Sequence, residues 1–153
     1  MDLLTPSLRF ALTANALAQV EAQRLGRPEP DPSPVVKLFN PLGAATWLAT
    51  ELDADGDTLF GLADLGFGCP ELGSFSLSEI AALRLPYGLT IERDGHFVSA
   101  APLSLWTSTA QATGSLSAAE AALAARRTPP PVPPAADPAG VLGELPSSGS
   151  DDG

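Results

Sequence analysis

Glu51, Asp53, Asp64, Glu71, Glu92 and Asp94 crowd the middle of the chain, with His96 just beyond them. If Glu51 and Asp64 sit on paired strands, their carboxylates could close on a hard cation through oxygen. A carboxyl pair with separated pKa values could also do general acid–base work. Glu51, Asp64, Glu71, Glu92 and His96 are therefore the catalytic candidates, and a metal-assisted hydrolase is the enzyme reading. The plainer reading, which we favour, makes these acids strand ends and turn caps, roles that Asp fills for backbone reasons alone. For binding, the candidates are Trp47, Glu71, Arg93 and Asp94. The planar fork of Arg93 could clamp a ligand, or join Glu92 and Asp94 in a buried ionic triad that fixes a hairpin.

Other chemistry is disfavoured. Cys69 and His96 are the only Cys and His, too few for a usual zinc set, so no metal site is expected. No motif places a nucleophile beside His96 or a base beside Cys69. Gly61, Gly66, Gly68 and Gly73 are followed by no Lys-Ser/Thr pair and open no GxGxxG helix, so no nucleotide cofactor is expected. Asp53-Ala-Asp-Gly-Asp57 puts its Gly too early for a calcium-binding loop and reads as a hairpin turn.

These residues need elements to hold them. Thr5-Pro6 opens a helix that should run to about Arg24, with Gly26 beyond its end. Residues 27–34 place Pro at alternate positions and read as an extended spacer. Strands are expected at Val35–Phe39, Ala45–Leu52 and Thr58–Leu65. The last two form a hairpin around the acidic turn, with Trp47 and Leu52 on opposite faces. Residues 66–73 read as loop. Ser76 and Glu79 form a capping box for a short helix from Leu77 to Leu85, and Asp94-Gly95 should turn a second hairpin over residues 90–98. A second capping box, Ser117 to Glu120, opens an Ala-rich helix ending at Arg126-Arg127. The expected class is α+β: an N-terminal helix packed on a small, mainly antiparallel sheet of hairpins with one short inserted helix. Residues 1–105 should form one domain, with a linker and the Ala-rich helix over 106–127. Residues 128–153, rich in Pro, Gly and Ser, should form a disordered tail. Its segment Thr128–Pro134 could dock as a polyproline helix.

Charge narrows the function classes. The 153 residues carry a net −10, and the sequence pI is about 4.2. Residues 34–105 hold nine acids against three bases, so most of the surplus lies on the segment expected to fold. Such a chain should not grip nucleic acid or an anionic membrane. No apolar run is long enough to span a bilayer, and the N-terminus lacks the pattern of a signal peptide, so a cytoplasmic protein is expected. The expected partner is a protein, and that charge would steer a basic one.

Ordered blocks at Val36–Pro41, Ala45–Asp53, Leu59–Gly66, Glu71–Glu79 and Tyr87–Asp94, with Phe97 and Pro102-Leu-Ser104, resemble the bacterial family catalogued as domain of unknown function 2958. The N-terminal Leu-Leu-Thr-Pro resembles the start of that family. The resemblance covers residues 2–105 and departs from the usual pattern at Gly95. It implies a plasmid, integrative-element or phage-like setting and assigns no activity.

Overall fold

A computed structural model describes residues 2–127. The expected tail and its polyproline segment lie outside the described residues. Up to Leu123 the chain forms one compact unit.

Helix α1 (Pro6–Arg24) starts as its sequence dictates. Thr5 Oγ1 accepts from Leu8 N–H at 3.2 Å, and Pro6 occupies the first turn, where its missing N–H costs nothing. The helix closes with Arg27 N–H bonded back to the Ala22 carbonyl, around Gly26 at φ 66°.

Strands β1 (Val36–Phe39), β2 (Thr46–Leu52), β3 (Thr58–Asp64), β4 (Glu71–Ser76) and β5 (Glu92–Arg93) form one antiparallel sheet in the order β4-β3-β2-β1-β5. The β2–β3 hairpin matches the expectation. Strand β4 falls partly in the stretch read as loop. The expected second hairpin does not form. Instead β5 pairs with β1, and Asp94 Oδ1 accepts from His96 N–H at 2.9 Å, turning the chain away from the sheet. Phe97 then packs against Trp106, with ring centroids 6.0 Å apart.

Short helix α2 (Leu77–Ala82) starts at the expected cap, Ser76 Oγ accepting from Glu79 N–H at 3.1 Å. Residues 103–113, expected to be domain end and linker, form helix α3 (Leu103–Thr113), and helix α4 (Leu116–Arg127) follows. The cap of α4 is Ser115, whose Oγ accepts from Ala118 N–H at 3.0 Å, two residues before the expected Ser117.

Two apolar clusters lie on opposite faces of the sheet. One joins Leu4 and Leu12 to Leu38, Trp47, Leu59, Leu77 and Ile80. The other joins Leu48 and Leu62 to Trp106, Ala110, Leu116 and Ala119. Helices α1 and α2 thus serve one face, and α3 and α4 the other. Each fully buried Leu contributes about 2 kcal/mol, whereas an exposed ion pair contributes about 0–1 kcal/mol. The apolar layers therefore hold the fold.

A β-bulge in β2 decides which side chains meet. The register slips between Ala49 and Glu51, which places Leu52 in the same cluster as Trp47. Strict alternation had put them on opposite faces. Buried Thr50 is satisfied at the bulge: its hydroxyl donates to the Phe60 carbonyl at 3.3 Å, and its own carbonyl accepts from Asn15 Nδ2 at 2.9 Å. Opposite stands Gly61, where a Cβ would lie 1.8 Å from the Leu48 carbonyl oxygen. Only glycine allows the two backbones this approach.

Candidate functional site

Two concave regions gather the charged residues. The larger, about 800 Å³, lies among the ends of β1, β2 and β3, the turn at Asp94 and the start of α4. Lys37, the only lysine of the chain, points into it from β1. Its Nζ donates to Glu120 Oε1 at 2.7 Å and stands 3.8 Å from Asp94 Oδ2. Asp64 is 2% exposed. It spends one oxygen on Gly66 N–H and the other on Leu116 N–H, both at 2.8 Å. This carboxylate ties the end of β3 to the first turn of α4, where the helix dipole favours a negative charge. The charged side chains of this cavity are thus largely engaged with one another or with backbone.

The second region, about 340 Å³, has an apolar floor of Phe60, Leu72 and Leu103 and an acidic rim of Glu29, Asp31 and Glu51. The Pro-rich spacer is stitched into its wall. Gln19 Nε2 donates to the Pro30 carbonyl at 2.7 Å, and Leu103 N–H to the Pro32 carbonyl at 2.9 Å. Asp31 accepts from Ser104 N–H at 3.1 Å and from its hydroxyl, so a residue of the spacer supplies the cap that α3 lacks locally. Glu51 carries uncompensated charge. Burial pushes its carboxyl above the usual range, and repulsion from Asp53 and Glu29 adds to the shift. Among the described residues, no cation lies within ion-pair distance of Glu29, Asp31 or Glu51.

The sequence candidates scatter over these features. Glu51 and Asp64 do sit on paired strands, but at opposite ends of the hairpin: Glu51 faces Phe60 and Asp64 faces Thr46. Glu71 is exposed on β4 opposite Ala63, one residue out of phase with Asp64, so the two project to opposite faces. Glu92 and His96 are exposed. Trp47, a binding candidate, is 6% exposed and belongs to the core. The triad of Glu92, Arg93 and Asp94 does not form. Arg93 Nη1 donates to the Leu3 carbonyl at 2.6 Å, and Asp94 stands by Lys37. Among the described residues, no group of three or more His, Cys, Asp or Glu is placed to hold a metal ion.

The acidic turn is structural. Asp55 accepts from Thr58 Oγ1 at 2.6 Å and from Thr58 and Asp57 N–H at 2.8 Å each. Asp57 accepts from Ser76 Oγ at 2.7 Å and Ser78 N–H at 2.8 Å, which binds the turn to the start of α2. Side-chain bonds from Thr58 and from Ser76, respectively, lead in holding these carboxyls below the usual range. Sequence reasoning missed Asp31, Lys37 and Glu120. A single lysine inside an apolar strand was the one local signal for the Lys37 cluster. Asp31 gave none, because its partner Ser104 is 73 residues away.

No described helix is long and apolar enough to cross a membrane. No curated protein and no solved structure matches the chain. Residues 3–117 match a family model described as "Protein of unknown function (DUF2958)".

Proposed function

The chain belongs to the DUF2958 family, and from that premise we propose that it is a small acidic accessory protein of a plasmid or integrative element that works by binding and regulating a basic protein. One observation carries this reading: the second cleft joins an apolar floor to three carboxylates without an ion-pair partner among the described residues. A Lys or Arg side chain fits such a place, its aliphatic stem on Phe60 and Leu72 and its head among Glu29, Asp31 and Glu51. The raised Glu51 carboxyl fits the same reading: burial leads the shift, and an arriving cation would offset the repulsion from Asp53 and Glu29 that adds to it. The net −10 steers basic partners inward and turns nucleic acid away. In its sharpest form the protein occupies the DNA-binding surface of a host enzyme.

Capture from a host lysate at low and at high salt tests the proposal. The expected result is retention of basic, nucleic-acid-handling proteins at low salt and their release at high salt. Absence of any such protein at low salt overturns the reading.

A further inference from the structure

Strand β4 is an open edge. It pairs with β3 through Glu71↔Ala63 to Ser76↔Thr58, and among the described residues its outer side makes no backbone hydrogen bond. In an antiparallel strand alternate residues direct N–H and C=O away from the existing partner, so this side presents a row of unmet groups. Edges are usually blunted by Lys, Pro or very short length. The opposite edge, β5, has two residues, whereas β4 has six and contains neither Lys nor Pro. Nothing crowds Gly73, and Leu72 is 47% exposed.

The surroundings of this edge are acidic. Residues 38–83, which include β2, β3, β4 and α2, hold seven acids and no Lys or Arg. Glu71 stands at one end of β4. At the other end lie the Asp53–Asp57 turn and Glu79. Two bases reach the region from outside its sequence range: Arg9 donates to the Gly56 carbonyl and pairs with Asp2, and Arg84 donates to the Ala81 and Ala82 carbonyls at the end of α2.

We propose that β4 accepts an extended basic segment of the partner protein as a sixth strand of the sheet. This rests on the basic-partner reading above and adds to it a mode and a surface. Backbone bonds along β4 supply the register. A basic residue opposite Glu71 makes a cross-strand pair, and an apolar residue opposite Leu72 covers it on the other face. Charge argues against a second copy as occupant, since two such edges would bring like charges together.

The test uses the full chain and a short peptide alternating arginine and valine. Its control is the same peptide N-methylated at alternate amides, which keeps the charge but cannot extend a ladder. Hydrogen exchange is read at the β4 amides and affinity by titration at low salt. The expected result is slowed exchange in β4, with binding weakened about tenfold or more by N-methylation. Equal binding of both peptides without slowing in β4 overturns the strand addition and leaves the acidic-module reading standing. Failure of both peptides to bind at low salt overturns both readings. Concentration-dependent protection of β4 without peptide overturns the proposed occupant in favour of a second copy.

Discussion

Asp64, one of the catalytic candidates, is a buried brace between the end of β3 and the start of α4. Replacing it with Asn keeps the shape but sets an amide N–H₂ against Leu116 or Gly66 N–H. We expect Asp64→Asn to cost about 2 kcal/mol in urea unfolding, with the loss of protection concentrated at the start of α4. Glu51 behaves in the opposite sense. Its carboxyl is raised in the folded state, chiefly by burial, so its ionised form opposes folding at neutral pH. That penalty fades as pH falls through the raised value. Glu51→Gln should therefore raise the melting temperature at pH 7 and lose this advantage under mild acid. Asp55 and Asp57 have depressed carboxyls, so their support is full above the usual carboxylate range and is lost as pH falls below it. Thermal melts of the wild type, Asp57→Asn and Glu51→Gln across pH 3 to 7 (roughly the carboxylate range) separate the two trends. Because Glu51, Asp64, Glu71 and Glu92 do not converge, and no group of three or more His, Cys, Asp or Glu among the described residues is placed to hold a metal ion, millimolar Mg²⁺, Mn²⁺ or Ca²⁺ should leave the melting temperature unchanged.

Among the elements, those with local signals were legible in the sequence. Thr5-Pro6 and Gly26 bracket α1, the Asp53–Asp57 turn marks the β2–β3 hairpin, and Ser76 with Glu79 marks α2. What failed depended on distant partners. Strand β4 is half exposed and carries Gly73 in its interior, and only pairing with β3 makes it a strand. Helix α3 is rich in Ser and Thr, weak helix formers, and takes its cap from Asp31 across 73 residues. The bulge in β2 has no signature in the residues that form it, yet it sets which face Leu52 covers. The same reason hid the candidate site. Strand membership placed Glu51 and Asp64 on one hairpin, but register put them at its two ends. Gly61→Ala tests the bulge. Its Cβ would drive into the Leu48 carbonyl, and we expect a loss of roughly 3 kcal/mol, read as a shifted denaturation midpoint with the m-value retained.

On the scale of the whole molecule, charge and layering divide the work. The apolar clusters on the two faces of the sheet hold the fold. The acids left outside them, on turns, strand ends and the Pro-rich spacer, give the β4 side of the sheet a field that its own bases do not cancel. That field is the basis of the proposed function, and its strength should fall with ionic strength and with protonation of Glu51. The most direct test compares, at low salt, the affinity of the full chain and of a Glu29→Gln/Glu51→Gln double variant for the basic protein recovered from host lysate. The account predicts weakening of about five- to tenfold in the variant and a shallower salt dependence. Equal affinity of the two chains, with the same salt dependence, would contradict it.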